Sequence, residues 1–373
     1  MFWWKHATMN MLASFNHLLL TPNQVYFGYE MEDALRLVRY AAPGTQPAPG
    51  YFTDYFGIRT RLSNFMHDPQ GMDTAVGTFP FPNDGLHSEL VEYLGTVKAL
   101  EAAGTDITVV EMGAGYAPWL MFSAVVARKL GKQSVRLVAV EAEPPRHALI
   151  RANFEDNGFP QPELVHAAIS DQRGVVSFGS ENVHDWGGAV QGEAGTDYRG
   201  VAVVQLEVPA LLMSDVLDPL GTVDLLHIDI QGWEARSMRA SLDSVCAKVR
   251  YMVIGTHSRV IEGELMDMLR GRGWTLMHEK PCQFVYDPTP ELTGATTVDG
   301  AQVWANTALG APADVPAHLT EAELALVEKT RETVGFQHRI AKEYVWTLQN
   351  RIAELEKMEA SVPPWLRKLL SAF

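Results

Sequence analysis

The sequence predicts an α/β protein built on a mostly parallel, doubly wound sheet. Between residues 105 and about 307, apolar strand-like runs alternate with stretches of helical periodicity. Strands and helices that alternate in this way form βαβ units, whose strands run parallel. The strand-like runs are apolar almost throughout, which indicates a sheet covered on both faces. The composition, with 47% hydrophobic and 20% charged residues, is that of a globular, core-forming chain.

The elements follow one another in a regular order. The candidate strands are "ITVVEMG", "VRLVAVEA", "ELVHAAIS", "VDLLHIDI", "VRYMVIGTHS", "TLMHEKP" and "AQVWANT". Helical periodicity lies between several of them, over residues 120–130, 146–157, 234–245 and 260–272. In open sheets of this kind, ligands bind beyond the carboxyl ends of the strands. The residues that end each strand are therefore the candidate site residues.

The first strand runs into a glycine turn that contains Gly113, Ala114 and Gly115. Glycines permit a tight turn and a close approach of the backbone to a ligand. A dinucleotide fingerprint requires a third glycine three positions after the second, and Pro118 stands there instead. Glu111, just before the turn, would repel a pyrophosphate but attract a positive charge, such as the ammonium of S-adenosylmethionine. The alternative is an ordinary tight turn between a strand and a helix.

The second and third strands end in residues suited to a nucleoside. Glu141 and Ala142 end the second strand, somewhat more than 20 residues after the glycine turn. In nucleotide sites of this architecture, an acidic residue at about that distance hydrogen-bonds ribose hydroxyls. Glu141 is therefore the candidate ribose ligand, whereas Glu143 is placed to start the next helix. The third strand ends in "HAAISD", where small residues such as Ala168 leave room for an adenine ring.

The fourth and fifth strands end in a carboxylate and an imidazole. Asp229 ends the fourth strand, and His257 ends the fifth. Neighbouring parallel strands bring these side chains to the same rim. Together they can deprotonate a hydroxyl, or share a divalent cation that acidifies it. The alternatives are that Asp229 caps the following helix and that His257 only hydrogen-bonds within the fold.

Taken together, these motifs resemble the FkbM family of S-adenosylmethionine-dependent methyltransferases. The matching segments are "VVEMGAG", "VAVEAEPPRHALIRANFEDNG", "AAISDQRG", "HIDIQGWE" and "THSRVIEGELMDMLRGRGW". They occur in the family's order over residues 105–274, and the "IDxxGxE" element is more specific than any glycine motif. Family proteins generally carry Glu at the position of Gln231. A metal site that needs a second carboxylate there is therefore in doubt.

The resemblance implies a class I methyltransferase fold and methyl transfer to an oxygen, a hydroxyl of a sugar, a glycan or a glycosylated metabolite. It places Glu111, Gly113 and Gly115 along the methionine portion of the cofactor and Glu141 at the ribose. It also places Asp229 beside the reacting centre.

The chemistry requires a base. A sugar hydroxyl is too weak an acid to ionise unaided near neutral pH, so a base or a cation should lie next to it. Strand topology adds His257 to this centre, with Glu234 as an orienting partner, and leaves open which group is the base. A Mg²⁺ ion held by Asp229 and one or two further oxygen ligands is a second way to acidify the hydroxyl.

Two other functional classes stay open at this point. One is an NAD-dependent oxidoreductase with a degenerate glycine motif, against which Pro118 and Glu111 weigh. The other is a non-catalytic scaffold that retains the methyltransferase fold. The formal net charge of −15 argues against sequence-independent binding to nucleic acid.

Composition divides the chain into three segments. Residues 1–100 form an aromatic extension that is a candidate substrate cover, residues 101–310 form the catalytic domain, and residues 317–373 form a helical segment. Within the extension, "GLHSELVEYLG" predicts a helix that docks before the first strand; alternatively His87, Glu89 or Tyr93 closes over the cofactor. Two cysteines and no uninterrupted apolar run long enough to cross a bilayer predict a cytoplasmic protein with free thiols.

The C-terminal segment predicts a long helix. Thr320 and Glu323 have the spacing of a capping box, and apolar residues then follow heptad positions from Leu324 to Leu355. The helix either forms a coiled coil, which would make the protein a homo-oligomer, or packs along its own domain. The tail "PPWLRKLLSAF" either packs against the protein or touches a membrane surface.

Overall fold

The computed structural model describes residues 28–29, 31–65, 71–77, 88–180, 189–190, 204–286, 295–325 and 327–329. The chain divides into two units, Phe27–His318 and a second unit made of Met1–Tyr26 with Leu319–Phe373. The described residues of the predicted N-terminal extension belong to the same unit as the sheet. The predicted three-segment division stays a prediction.

The larger unit alternates helices and strands along the chain. Its described helices are α1 (Met31–Arg36), α2 (Leu90–Ala102), α3 (Pro118–Lys129), α4 (Pro144–Asp156), α5 (Met213–Leu217), α6 (Glu234–Lys248) and α7 (Arg259–Leu269). Its described strands are β1 (Tyr51–Thr53), β2 (Arg59–Arg61), β3 (Asp106–Met112), β4 (Ser134–Glu141), β5 (Glu163–His166), β6 (Ala168–Ile169), β7 (Gly174–Ser180), β8 (Ala189–Val190), β9 (Val204–Leu211), β10 (Val223–Ile228), β11 (Val249–Thr256), β12 (Trp274–Lys280), β13 (Gln283–Phe284), β14 (Thr296–Val298) and β15 (Gly300–Asn306).

A seven-stranded sheet forms the centre of this unit, in the order β12-β15-β11-β10-β3-β4-β5. From β11 to β5 each neighbouring pair runs parallel. Strand β15 is antiparallel to both of its neighbours. The strand order reverses beside β3, so a crevice opens at the carboxyl ends of β3 and β10. This arrangement is the class I methyltransferase fold, and it confirms the predicted mostly parallel α/β sheet.

Helices cover both faces of the sheet, which explains why the strands are apolar almost throughout. On one face, Leu226 and Ile228 of β10 belong to a buried cluster with Met238 of α6 and Leu265 of α7. On the other face α2 packs closely, and a Cβ added at Gly95 would meet side chains of β11 and β15. Every residue of β10 is buried.

The predicted third strand, "ELVHAAIS", is wrong as a single strand. Strand β5 ends at His166, which pairs with Glu141, whereas Ala168 pairs with Ala210 of β9. Strand β6 therefore belongs to a separate four-stranded sheet of order β6-β9-β7-β8. The break falls at Ala167, whose amide donates to the carbonyl of Glu141.

Helix α2 is the docking helix predicted before the first strand, and it begins at Leu90. Glu89 and Glu92 form a capping box, in which the Glu89 amide donates to Oε2 of Glu92 over 3.0 Å. The helix contacts β10, β11, β12 and β15. His87, one of the residues predicted to close over the cofactor, lies outside the described residues.

Only a short part of the second unit is described. Residues 321–325 and 327–329 are helical, and the Thr320 amide donates to Oε2 of Glu323. The amide of Glu323 donates in turn to Oγ1 of Thr320 over 3.3 Å, which confirms the predicted capping box. The rest of the heptad pattern and the tail lie outside the described residues, so the coiled coil and the homo-oligomer stay predictions. Within the described part of the chain, no helix has the length and apolar character needed to cross a membrane.

Candidate active site

The ends of β10 and β11 bring Asp229 and His257 together. These strands are parallel neighbours, with Ile228 beside Ile254 in the register. Asp229 directly follows β10, and His257 directly follows β11. Nε2 of His257 lies 3.4 Å from Oδ1 of Asp229. The structure thus places both side chains at one rim, although their catalytic roles stay predictions.

Glu234, the first residue of α6, extends this pair into the interior. Its Oε1 lies 2.9 Å from Nδ1 of His257 and accepts the amides of Gly232 and Ile230 over 3.0 and 3.2 Å. The side chains of Glu234 and His257 are 0% and 1% exposed, whereas that of Asp229 is 38% exposed. We call Glu234, His257 and Asp229 the carboxylate–imidazole chain; of its members, only Asp229 faces the crevice.

The charges in this chain determine which member can accept a proton. Burial lowers the pKa of His257, but the charge of Glu234, the hydrogen bond to it and the charge of Asp229 outweigh burial and raise that pKa to about 10. Burial raises the pKa of Asp229 above its ordinary value, and although the charge of His257 opposes this, the charge of Glu234 adds to it. At neutral pH His257 is therefore an imidazolium that already holds its proton. Asp229, which is accessible from the crevice, is the group placed to accept one.

Gln231 completes the surroundings of Asp229. Its Nε2 donates to Oδ1 of Asp229 over 2.9 Å, and its backbone has a positive φ of 54°. The same oxygen of Asp229 faces His257, so two donors orient the carboxylate. Gly255 leaves room for the other oxygen, because a Cβ there would lie 3.3 Å from Oδ2. An amide at position 231 therefore acts as a hydrogen-bond donor, a role that a carboxylate does not provide.

These residues do not fit the predicted Mg²⁺ ion. One ligand atom from each of Asp229, Glu234 and His257 lies within 4.8 Å of the others. Mg²⁺ requires oxygen ligands in octahedral geometry and keeps several bound waters. Here one of the three groups is an imidazole, and Glu234 and His257 are buried and hydrogen-bonded to each other. Among the described residues, those of the carboxylate–imidazole chain use their ligand atoms in hydrogen bonds to one another. A magnesium site needs bound water at such positions.

The glycine turn after β3 packs directly on this rim. The Asp229 amide donates to the carbonyl of Met112 over 2.9 Å. Gly113 has a φ of 79°, and a Cβ at this position would overlap the carbonyl oxygen of Asp229. Only glycine fits both conditions. The turn predicted to hold a cofactor thus lies against the backbone of the residue predicted to act on the substrate.

Glu141 joins the glycine turn to the end of β4. Its Oε2 accepts the amide of Gly115 over 2.7 Å, and its Oε1 accepts the amide of Glu143 over 2.8 Å. A carboxylate oxygen has two lone pairs, so each can accept a further bond, for example from a ribose hydroxyl. Ala142 and Ala168, both predicted cofactor-binding residues, lie together in a buried cluster with Phe178 and Val208. Contact of these residues with a cofactor stays a prediction.

Glu111 lies behind the turn, at the start of α3. Its two oxygens accept the amides of Trp119 and Leu120 over 3.4 and 2.9 Å, and it is 1% exposed. Burial raises its pKa well above the ordinary range, and the two amides partly oppose this. The described contacts of Glu111 therefore hold the helix end in place, while its predicted contact with the methionine portion stays a prediction.

Two buried residues at this site were not predicted from the sequence. Nε2 of His227 lies 3.3 Å from Oε1 of Glu92, and the ring of Trp119 stacks on His227 at 4.8 Å. Burial lowers the pKa of His227 to about 3 and raises that of Glu92, to which the charge of Asp229 adds. The available signal was a histidine two residues before Asp229 in a buried strand, because that spacing places both on one face.

Of the three carboxylates at this rim, Asp229 faces the crevice, whereas Glu141 and Glu234 are buried at 2% and 0% exposure. Glu141, Asp229 and Glu234 receive their described hydrogen bonds from backbone amides, Gln231 and His257. A crevice of this kind favours a cationic ligand and disfavours a pyrophosphate.

No protein-family model matches the chain, so the resemblance to the FkbM family stays a prediction. A relative from Jannaschia sp. (strain CCS1), named "Putative methyltransferase", is 27% identical over 254 residues, which cover 65% of this chain and 88% of the relative. A precorrin-6y C5,15-methyltransferase from Geobacter metallireducens GS-15 has a TM-score of 0.35 at 14% identity, covering 60% of this chain and 91% of the other. A ribosomal protein L11 methylase from Lactobacillus delbrueckii subsp. bulgaricus has a TM-score of 0.33 at 11% identity, covering 64% and 89%. These TM-scores are low, so the assignment of the class I methyltransferase fold rests on the strand order.

Proposed function

We propose that this protein is an S-adenosylmethionine-dependent O-methyltransferase, and that its acceptor is a hydroxyl of a sugar, a glycan or a glycosylated metabolite. The observation that carries the proposal is the carboxylate–imidazole chain, whose exposed member Asp229 lies against the glycine turn. A relative at 27% identity whose name describes a methyltransferase supports the same class.

The residues at the crevice fit this cofactor. S-adenosylmethionine carries a sulfonium and an ammonium but no phosphate, which suits a crevice that the carboxylate of Asp229 faces. Gly113 and Gly115 allow close approach to the backbone, and Glu141 has acceptor capacity left for ribose hydroxyls. When bound, the cofactor supplies a methyl group activated by the positive charge of its sulfur. We therefore assign these residues to donor binding.

The chain's own task is to hold the acceptor hydroxyl and to take its proton. As the oxygen gains the methyl group, its proton passes to the carboxylate of Asp229. His257 and Gln231 hold that carboxylate in one orientation, and the imidazolium favours its ionised form despite burial. Positioned proton transfer of this kind contributes about 10²- to 10⁴-fold to rate. Glu234 keeps His257 charged and acts as a positioning residue.

Binding of S-adenosylhomocysteine by calorimetry and transfer of a ¹³C-labelled methyl group to carbohydrate hydroxyls test the proposal. Asp229→Asn should lower transfer by about 10²-fold or more while S-adenosylhomocysteine affinity changes little, because the amide cannot accept the proton. Asp224→Asn is a matched control: Asp224 lies on the same strand, and it bonds to Arg250 and to the Thr108 amide instead of the crevice. This variant should keep both properties.

The outcomes separate the alternative functions. Binding of NAD⁺ without binding of S-adenosylhomocysteine would favour an oxidoreductase, and binding of neither would favour a scaffold. The ¹³C chemical shift of the transferred methyl group distinguishes attachment to oxygen from attachment to nitrogen or carbon. An N-methyl or C-methyl product would contradict the acceptor chemistry and leave methyl transfer intact.

A further inference from the structure

The hairpin formed by β13 and β14 presents apolar side chains to solvent. Its two strands pair antiparallel. Four large apolar residues on it are each at least 39% exposed: Phe284, Val285, Tyr286 and Val298. We call these four residues the apolar hairpin surface. Single exposed apolar residues are ordinary on a protein surface, whereas a group of them on one short hairpin marks an interaction site.

Hydrogen bonds fix this hairpin to the end of β11, beside the reacting centre. The hydroxyl of Thr296 on β14 donates to the backbone carbonyl of His257 over 2.8 Å. Cys282, which directly precedes β13, donates its amide to Oε1 of Glu262 over 2.6 Å and its thiol to the carbonyl of Thr256 over 3.1 Å. A two-stranded hairpin is marginally stable by itself. These bonds therefore hold both of its strands next to the end of β11.

The hairpin is attached on one side of Asp229, and the glycine turn lies on the other. In the order of the sheet, β10 lies between β11, to which the hairpin is bonded, and β3, which the glycine turn follows. Asp229 directly follows β10. The charge of Asp299, the residue after β14, helps to raise the pKa of Asp229, so the hairpin acts at this rim. A donor at the turn and an acceptor at the hairpin would both lie next to Asp229, as transfer between them requires.

The apolar hairpin surface lies in an uncharged part of an acidic chain. None of the described residues 283–286 and 295–298 is charged, whereas the whole chain has a formal net charge of −15. The flanking residues Lys280 and Asp299 have opposite signs, and the Lys280 ammonium pairs with the carboxylate of Glu89. A membrane-binding surface carries several Lys or Arg residues beside its apolar ones, and the described hairpin residues include none. The partner that fits this surface is therefore a neutral apolar group.

We propose that the apolar hairpin surface binds the apolar portion of the methyl acceptor, so that the acceptor is a glycoside with an alkyl or aryl aglycone. This inference rests on the proposed function and narrows its substrate class. The sugar lies against Asp229, and the aglycone lies on the hairpin. Removal of apolar surface from water supplies the affinity, and the rings of Phe284 and Tyr286 offer faces on which aryl groups pack. A free sugar or a polar polysaccharide lacks this contribution.

Matched glycosides that differ only in the aglycone test this preference. Methyl and hexyl β-glycosides of glucose, galactose and mannose are compared for binding to the full chain by ligand-observed NMR, below the micelle concentration of the hexyl compounds. For at least one sugar, the hexyl glycoside should bind at least about tenfold more tightly, because burial of about two additional methylene groups suffices for that ratio. The same glycoside should accept a ¹³C-labelled methyl group from S-adenosylmethionine.

Substitutions matched in exposure assign the preference to the hairpin. Val285→Ser should lower the hexyl preference at least about threefold, because it removes apolar contact area. Val175→Ser is its control, since Val175 is 65% exposed against 69% for Val285 and lies on β7 of the separate sheet. Phe284→Ser and Leu206→Ser form a second pair, both 43% exposed, with Leu206 on β9. Melting temperatures should stay near that of the wild type. An equal loss of preference in the control variants would overturn the assignment.

Two other occupants of this surface give different results. Light scattering on the wild type and on Val285→Ser should give the same mass; a smaller mass for the variant would assign the surface to a second copy of the chain. Flotation with phosphatidylcholine vesicles should leave both proteins at the bottom of the gradient. Flotation of the wild type but not of the variant would assign the surface to a membrane. Either result would overturn the inference.

S-adenosylhomocysteine in the same samples separates this inference from the proposed function. We expect the hexyl glycoside to bind when S-adenosylhomocysteine is saturating, because donor and acceptor occupy different sites. Mutual exclusion, equal affinity of methyl and hexyl glycosides, or no methyl transfer to any glycoside by a protein that binds S-adenosylhomocysteine would overturn the inference and leave the cofactor assignment standing. Failure of S-adenosylhomocysteine to bind, with the hexyl preference present in the wild type and reduced in Val285→Ser, would overturn the proposed function instead.

Discussion

Glu234→Gln is the most informative single change in the carboxylate–imidazole chain. The amide keeps an oxygen in the position that accepts the Gly232 and Ile230 amides, so the start of α6 should be preserved. What it removes is the charge that, with Asp229, raises the pKa of His257 to about 10. Without that charge, burial dominates and His257 becomes neutral at pH 7.

The effect on stability has a defined dependence on pH. The folded-state pKa of His257 lies above the ordinary 6.5, so its stabilising contribution is complete below that pH and disappears as the pH rises towards 10. Between pH 6.5 and pH 8.5 the wild-type protein should lose about 2 kcal/mol from this group, which is 1% exposed. Removing one partner of a buried ion pair costs about 3 kcal/mol. Glu234→Gln should therefore cost about 3 kcal/mol near pH 6.5 and about 1 kcal/mol near pH 8.5.

Urea unfolding, followed by tryptophan fluorescence at both pH values, measures these differences. Glu262→Gln is the control, because Glu262 is equally buried but bonds to the neutral Thr256 hydroxyl and Cys282 amide over 3.1 and 2.6 Å. Its cost should be the same at the two pH values, since its remaining partner, Arg259, keeps its charge throughout. A cost of Glu234→Gln that does not change with pH would refute the imidazolium assigned to His257.

Three further predictions follow from the same geometry. Glu141→Ala leaves the buried amides of Gly115 and Glu143 without acceptors, which should lower stability by about 1 to 3 kcal/mol for each amide and weaken the binding of S-adenosylhomocysteine. Glu141→Gln keeps one acceptor oxygen, so it should recover part of the lost stability in thermal melts and part of the lost affinity in calorimetry. Gly113→Ala places a methyl group against the Asp229 carbonyl at a positive φ, so unfolding experiments should show a loss of at least about 3 kcal/mol; a normal melting temperature would contradict the described turn. EDTA should leave methyl transfer unchanged, because the residues do not fit Mg²⁺; loss of activity that Mg²⁺ restores would show that this assessment of the site is wrong.

The central sheet was predictable from the sequence because its strands are buried on both faces. In "VRYMVIGTHS" four apolar residues, Tyr251 to Ile254, follow one another, which is typical of a strand buried on both faces, and the segment became β11. Parallel strands end at one edge, so the juxtaposition of Asp229 and His257 followed from their positions in the chain. The four predicted helices begin within two residues of those observed.

The separate sheet was not predictable in the same way. Strands β7 and β9 pair antiparallel, and each leaves an apolar residue exposed: Val175 is 65% exposed and Leu206 43%. An exposed apolar residue breaks the alternation of buried apolar and exposed polar residues by which such a strand is predicted. The split of "ELVHAAIS" also depends on which strand Ala168 pairs with, a tertiary choice that local pattern does not encode.

Contacts between distant segments were the part of the site that sequence reasoning missed. Glu92 and His227 are 135 residues apart and meet only because α2 packs on β10. The contact of Glu111 with the cofactor stays a prediction, but its bonds to the start of α3 were not predicted. Its direction depends on which face α3 covers, and in the structure its oxygens accept the amides at the start of that helix. The residues at which a strand ends were thus easier to predict than the partners that each buried side chain meets.

The gradient of exposure from Glu234 through His257 to Asp229 has an evolutionary consequence. Of these three residues, only Asp229 meets the crevice. A change in the ligand that binds there would therefore favour substitutions in the crevice walls and leave Glu234 and His257 unchanged. Substitutions in the walls of the crevice can therefore change which ligand fits without altering the bond between Glu234 and His257. Relatives that bind different ligands are therefore expected to share the two buried residues and to differ in the residues around Asp229.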